Sequence, residues 1–462
     1  MVNEINGNKF KEECGVFGIY MNDPASATEA ARTTFYGLYA LQHRGQESCG
    51  IAVSDGHRID LHRGMGLVSD VIRPQNIESL GGHLAIGHVR YSTSGGSALM
   101  NTQPLVFHYL KGMVALAHNG NLINGVELKR RLETYGSVFQ TTTDTEVIAN
   151  LMARYSQDTM EDALAKSMID AKGAFALIIM TENQLVGLRD PMGIRPLCIG
   201  ILNGDYLLAS ESAALDTVGA QFVRDVGPGE MAVIDSQGLR SQQLVKSTRQ
   251  AHCIFEYIYF ARPDSKIDGR NVNRTRWELG RQLAREHKLE ADIVISVPES
   301  GTAAALGYAQ EAGLPFEQGL IRNRYVGRTF IQPTQQMREL GVRLKLNVIP
   351  EVVAGQRVIM IDDSIVRGTT SKKIVQMVRN AGAREVHFMV ASPPTKYPCY
   401  YGIDTSSREE LIASSMDVGQ ISDFIGADSL HYISTEGMFT ALKTKGGEFC
   451  AACFCGDYPA GR

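Results

Sequence analysis

The sequence has no apolar run long enough to cross a bilayer: the longest, such as AFALIIM at residues 174–180, fall far short of the roughly 20 residues a spanning helix needs. Residues 1–13 carry Glu4, Lys9, Lys11, Glu12 and Glu13 and no apolar stretch, which argues against a secretion signal and makes the cytoplasm the expected location. Neither sign of charge dominates, with 46 Lys plus Arg against 50 Asp plus Glu and a net charge of −4, so neither nucleic acid nor a membrane is expected as a partner. Eight cysteines in 462 residues are too few for a disulfide scaffold. Tryptophan occurs once, at Trp277, and there is no internal repeat or low-complexity segment. No G-x-x-x-x-G-K-[ST] string is present and no G-x-G-x-x-G follows a strand, so nucleoside triphosphate and dinucleotide binding lose their usual support.

What is present divides into two grammars, in a chain long enough for two or three domains. From Cys14 to about residue 240, short apolar runs (GVFGIY, GIAVSD, LAIGHV, MVALAHN, FALIIMT, QLVGLR, YLLASES, EMAVID) alternate with turn residues and predict strands. ATEAARTTFYGLYALQH, TDTEVIANLMARYS and MEDALAKSMIDA carry helical periodicity. The polar stretch DSQGLRSQQLVKSTRQA predicts a linker, with the boundary near residues 240–252 and divisions at 1–13, 14–247 and 248–462. Beyond it single buried strands alternate with helices, as in ADIVISVP then TAAALGYAQEAG, which predicts a mostly parallel sheet covered by helices.

In the second half, RVIMIDDSIVRGTTS at residues 357–371 ends a buried strand in Asp362 and Asp363, then opens a helix through Gly368, Thr369 and Thr370. Free N–H groups at a helix start suit a phosphate, and paired carboxylates suit ribose hydroxyls or Mg²⁺. A DD pair alone is more often an exposed strand end. The whole string resembles the 5-phosphoribosyl 1-diphosphate (PRPP) signature of type I phosphoribosyltransferases. That resemblance gives Asp362 and Asp363 the ribose hydroxyls and, with Ser300, Mg²⁺; it gives Ser364, Arg367, Gly368, Thr369 and Thr370 the 5′-phosphate. VPESGTAAALGY, with Ser300, Gly301 and Thr302, would meet the pyrophosphate. Between them lies a basic stretch with Arg322, Arg324, Arg328, Arg338, Arg343 and Lys345, read as a lid that closes over pyrophosphate rather than a merely solvated loop.

The first half holds LQHRGQESCG (41–50), GHVRYSTSG (87–95), HNGN (118–121) and TTTDTE (141–146), after C-G-V-F-G at residue 14. Each alone is weak, and a cysteine at the head of a strand is commonly a buried thiol. Together, in this order, they resemble the glutaminase domain of the N-terminal-nucleophile amidotransferases. Amide hydrolysis needs a nucleophile, a base, an oxyanion donor and a head-group clamp. By resemblance, Cys14 supplies the thiolate and, once the chain is cut after Glu13, its own α-amine is the base. By the same resemblance, the Asn119 side chain and the Gly120 N–H would form the oxyanion hole, Arg90 and Asp144 would grip glutamine, and Arg44 is a further pocket candidate.

The order of the two halves resembles the glutamine phosphoribosylpyrophosphate amidotransferases over nearly the whole chain. This implies an α+β N-terminal-nucleophile glutaminase with αββα layers, then an α/β phosphoribosyltransferase domain. The implied reaction makes 5-phosphoribosylamine, glutamate and diphosphate from glutamine, PRPP and water, and opens purine synthesis. A PRPP-binding regulator with a non-catalytic first half is the competing class, and the complete set of pocket residues argues against it. The tail EFCAACFCGDYP spaces Cys450 and Cys453 as C-x₂-C, which by itself fits half a zinc site, a redox pair or neither. In one branch of the family a removable leader accompanies a [4Fe–4S] cluster, whose ligands would match Cys253, Cys399, Cys450 and Cys453, with zinc on the same cysteines as the alternative; Cys455 is an extra thiol. The resemblance also implies a homotetramer and feedback inhibition by purine nucleotides (AMP, GMP, ADP, GDP).

Overall fold

The computed structural model describes residues 14–23, 26–91, 98–155, 159–246, 249–323, 346–403 and 407–462. The leader 1–13, the division at 247–248, and Arg324, Arg328, Arg338, Arg343 and Lys345 of the basic stretch lie outside them.

Five strands of the first half, Gly15–Tyr20, Ser48–Ser54, Leu84–Arg90, Gly173–Met180 and Leu185–Arg189, are buried on both faces, which is why they read as unbroken apolar runs rather than alternating ones. Seven antiparallel strands form one sheet in the order Gln221–Asp225, Cys198–Leu202, Asp205–Ala209, Gly15–Tyr20, Leu84–Arg90, Ser48–Ser54, Ile59–Met65. Six form a second, in the order Gly238–Gln243, Glu230–Asp235, Leu185–Arg189, Gly173–Met180, Gly112–Leu122, Leu105–Tyr109. Period-two alternation sends Val16, Ile86, Leu208, Ala117 and Ile178 into the layer between the sheets. Phe17, Ile19, Ile51 and Val89 point outward under Ala31 and Leu38 of the helix Glu29–Ala40. On the far side, Leu116, Leu177 and Ile179 meet Ile148 and Met152 of the helix Thr145–Arg154 and Leu164 and Met168 of the helix Met160–Asp170. The layers are therefore αββα.

The second half carries a parallel sheet in the order Ile293–Ser296, Arg357–Asp362, Glu385–Val390, Ser429–Tyr432. The helices Val272–Glu286 and Thr302–Ala312 cover one face; Thr369–Asn380 and Val418–Ile425 cover the other. The first pair crosses at glycines: a Cβ on Gly280 would stand 1.8 Å from the Ala304 carbonyl oxygen, and one on Gly307 2.0 Å from that of Trp277.

One expectation is corrected. The stretch read as a linker contains the strand Gly238–Gln243, paired along its length with Glu230–Asp235. It is a sheet edge exposed to water, so its side chains are polar and only its backbone pairing makes it a strand.

Candidate functional site

Cys14 stands one residue before the strand Gly15–Tyr20, whose partner strand ends at Arg90 in the register Gly15↔Val89. Cys14 and Val16 share a face, as do Ala117 and Asn119, and Val16 and Ala117 both lie between the sheets. Cys14 and Asn119 thus continue the two facing walls of the sandwich. The Cys14 thiol is 7 % exposed and donates to the Tyr91 carbonyl at 3.6 Å. Burial pushes it up to about 11; the bond to Tyr91 and the charge of Arg90 act against this, and Asp144 and Glu47 add to it. Thiol, guanidinium and carboxylates are therefore electrostatic neighbours, although their motifs are scattered over 130 residues, from Cys14 to Asp144.

Arg90 is buried and pairs with Glu47 at 3.0 Å. Asp144 accepts from the Leu122 N–H at 2.8 Å and lies 3.6 Å from His118 Nδ1. His118 is held by Gln103, which accepts from its backbone N–H at 2.8 Å, and Thr145 Oγ1 lies 3.2 Å from its ring. Glu47, His118 and Gln103 were not singled out from the sequence. For the first two the available signal was a carboxylate and an imidazole inside the quoted stretches. Asn119 is buried, and its Nδ2 finds no hydrogen-bond acceptor among the described residues. A donor buried without an acceptor costs about 1–3 kcal/mol, so its retention suits an anion present only during reaction. Beside it Gly120 adopts φ +144°, and a Cβ there would stand 2.0 Å from the Ala174 carbonyl oxygen, so only glycine fits.

Arg44, expected as a further pocket residue, lies beneath Cys14. Its guanidinium is fully buried, pairing with Glu211 at 2.5 Å and with Glu256 at 2.5 and 3.0 Å, while its Nε–H donates to the Cys14 carbonyl at 3.2 Å. A guanidinium so placed grips the main chain of Cys14.

In the second half, Asp362 closes its strand and both acids are buried. The Asp363 N–H donates to Asp362 at 2.9 Å and Ser364 Oγ donates to Asp363 at 2.5 Å. Gly368 turns the chain at φ +74° into the helix Thr369–Asn380, and a Cβ there would meet Ile412 at 2.8 Å. Thr369 and Thr370 are therefore the first two helical residues, where amide N–H groups lack helical acceptors. Arg367 pairs with Glu410. The loop with Ser300 leads into the helix Thr302–Ala312, and Gly301 packs so closely that a Cβ would lie 2.4 Å from the Ile361 carbonyl oxygen and 3.2 Å from Asp362 Cα. Both loops therefore meet at the carboxyl ends of neighbouring parallel strands. Arg322 is exposed at the end of the strand Leu320–Arg322, where the basic stretch begins.

Parallel pairing of His252–Cys253 with Phe449–Cys450 puts Cys253 directly beside Cys450. Burial pushes the Cys453 thiol well up, and Cys450, Cys253, Cys399 and Cys455 all add to the effect. Cys399 accepts from the Tyr401 N–H at 3.3 Å, whereas Cys455 is exposed and turns to the Ala451 carbonyl. Among the described residues no three such side chains are drawn together as a finished metal cage. Four neighbouring thiols, three of them buried, nevertheless suit a thiolate-bound centre.

Two family models match, a glutamine amidotransferase domain over residues 88–217 and a phosphoribosyl transferase domain over residues 273–402. The amidophosphoribosyltransferase of Bacillus subtilis is 50% identical over 464 residues, covering 99% of this chain and 96% of that protein. That of Archaeoglobus fulgidus is 51% identical over 450 residues, covering 96% and 98%. The solved B. subtilis glutamine PRPP amidotransferase complexed with ADP and GMP superposes with a TM-score of 0.91 at 50% identity, covering 96% of this chain and 97% of that one. The chain belongs to the amidophosphoribosyltransferase family. It is an enzyme that transfers the amide nitrogen of glutamine to PRPP, the first step of purine biosynthesis. Ammonia must pass from one half to the other, and a short segment joins them tightly. Asn121 Nδ2 donates to the Tyr400 carbonyl at 2.9 Å, Arg195 Nε donates to that of Tyr401 at 2.9 Å, and a Cβ on Gly402 would lie 3.2 Å from Gly120 Cα. The segment after Cys399 thus lies against the strand that carries Asn119 and Gly120.

Proposed function

We propose that the chemistry divides between Cys14 and the Asp362–Asp363 pair, with ammonia as the shared intermediate. While Cys14 is joined to residue 13 its nitrogen is an amide and has no basicity. Cleavage after Glu13 frees an α-amine whose ordinary pKa, about 7.7–8.0, lets it take the thiol proton and return it to the leaving ammonia. Cys14 Sγ attacks the glutamine amide carbon, and Asn119 Nδ2–H and the Gly120 N–H hold the oxyanion. Ammonia leaves, and water then hydrolyses the thioester to glutamate. Arg90 exchanges Glu47 for the substrate carboxylate, and Asp144 takes the substrate amine. The observation that carries this half is the buried Asn119 Nδ2, which has no acceptor among the described residues and sits on the wall facing Cys14.

At the second site unprotonated ammonia attacks C1 of PRPP as the bond to diphosphate breaks. Asp362 and Asp363 hold the ribose hydroxyls, and Ser364, Arg367, Gly368, Thr369 and Thr370 hold the 5′-phosphate, with Arg367 released from Glu410. Arg322, with Arg324 and Lys345, neutralises the departing diphosphate. Mg²⁺ on Asp362, Asp363 and Ser300 would add positive charge there. Cys253, Cys399, Cys450 and Cys453 would hold a [4Fe–4S] cluster that ties the start, middle and end of this half together. Iron and sulfide analysis of anaerobically prepared protein tests this, and zinc in their place would replace the cluster by a Cys₄ zinc site. A homotetramer inhibited by purine nucleotides, in the cytoplasm, completes the reading; the related structure holding ADP and GMP supports the nucleotides.

The deciding experiment separates the two halves. Cys14→Ala should abolish glutamine-dependent synthesis and keep ammonia-dependent synthesis, and Asp362→Ala with Asp363→Ala should lose both. Ammonia-dependent synthesis at the parent's rate in the double variant would refute the PRPP assignment.

A further inference from the structure

Four charges are withdrawn from water together beneath Cys14: the side chains of Arg44, Glu211, Glu256 and Arg195 are 0%, 0%, 1% and 0% exposed, with Arg195 Nη1 3.8 Å from Glu256. Burying an ion costs several kcal/mol even after relaxation, and apolar residues of similar volume often serve stability as well or better. The arrangement therefore calls for a geometric explanation. Arg44 spends one edge on Glu256 through two N–H bonds at 2.5 and 3.0 Å and shares its Nη1 with Glu211 at 2.5 Å. Two carboxylates fix the plane of the guanidinium, and its Nε–H is aimed at the Cys14 carbonyl at 3.2 Å.

Both carboxylates are themselves braced. Glu211 accepts from the Arg262 N–H at 2.9 Å and from Ser265 Oγ at 2.6 Å, and lies 2.7 Å from His43 Nε2. Glu256 opens the one-turn π-helix Glu256–Phe260, in which the Ala261 N–H reaches back to the Glu256 carbonyl at 3.1 Å. Such turns are rare and recur at functional sites. This one is gripped from the other side by Arg276, which donates to the Tyr257 and Ala261 carbonyls at 2.8 Å each. Glu211 precedes the connection between the halves and Glu256 follows it.

We infer that Arg44 is a positioning residue for the nucleophile, holding the Cys14 carbonyl in a place set jointly by Glu211 from the first half and Glu256 from the second. The first half alone then lacks one of the two carboxylates that aim the guanidinium. The inference rests on Cys14 being the nucleophile, and predicts a loss in the rate of amide hydrolysis without a loss in glutamine binding.

The test is Glu256→Gln in the full-length, metal-loaded protein, which keeps size and one acceptor but removes the charge. Glutamine-dependent kcat should fall about 10-fold or more with KM for glutamine within about twofold, and ammonia-dependent synthesis should stay within about twofold. Arg44→Lys, which keeps the charge and loses the Nε–H and the fork, should show the same split and serves if the first variant fails to fold. An unchanged kcat overturns the inference. A raised KM with kcat intact also overturns it, because Arg44 would then act on the pocket. Parallel loss of both activities with a lowered Tm overturns it in favour of a purely structural ion cluster. Failure of the underlying reading is distinct: Cys14→Ala would then still release glutamate.

Discussion

Asn119 shows what a single side chain can carry at this site. Its Nδ2 is buried without an acceptor among the described residues, so Asn119→Ala should leave stability within about 1 kcal/mol of the parent while lowering glutamine-dependent kcat about 10²–10³-fold. Thermal unfolding and steady-state rates of one variant check both halves of that statement, and a large stability loss with kcat intact would remove the oxyanion role. Cys14 offers a second test. Burial pushes its thiol up to about 11 in the chain still joined at residue 13, and only the thiolate reacts. Alkylation by iodoacetamide should therefore accelerate about tenfold per pH unit from pH 8 to 10, and a rate already flat above pH 8 would contradict it. The residues proposed for the nitrogen site could be picked out of the sequence because their types announce their chemistry. The surroundings of Arg44 could not, since an arginine inside LQHRGQESCG reads the same whether it faces substrate or two buried carboxylates. Glu47 was passed over because nothing local reveals that it neighbours Arg90 across a sheet.

Elements position these residues through close approach. The helix Thr302–Ala312 starts immediately after the Ser300 loop and is seated on the helix Val272–Glu286 through Gly280 and Gly307. A Cβ at Gly307 would lie 2.0 Å from a backbone carbonyl, which no rotamer change relieves. Gly307→Ala should cost about 1–3 kcal/mol and raise KM for PRPP by displacing the Ser300 loop, with KM for glutamine unaffected. Denaturant titration and initial rates on both substrates decide this. At this scale the buried strands and long helices were readable, because burial on both faces leaves unbroken apolar runs and helices repeat at 3.6. The edge strand Gly238–Gln243 was read as a linker because it has no buried face to write into its side chains.

The whole molecule is held together by buried charge as well as by apolar layers. Glu211 is fully buried and its carboxyl is held far below the ordinary 4.5: burial alone would raise it, and His43, Arg44 and Ser265 more than reverse that. A carboxyl whose folded pKa is depressed stabilises the fold above its unfolded value, and that stability is lost as pH falls from there toward the folded value. Glu211→Gln should therefore lower stability at pH 7 yet show a shallower decline between about pH 5 and 2. Unfolding curves across that range give the measurement, and parallel acid limbs would contradict it.

Sequence by itself determined the two grammars of the chain, the strand-turn-helix string from Asp362 to Thr370 proposed to hold phosphate, and the residue types proposed for the nitrogen site. These are local properties: a strand that ends in acids and turns into a helix is complete within fifteen residues. Tertiary structure decided what distant residues do to one another. It set Cys253 beside Cys450, left Asn119 Nδ2 without an acceptor among the described residues, and gave Arg44 a carboxylate from each side of the connection. Contacts of this kind depend on burial and register across sheets, which no local pattern encodes.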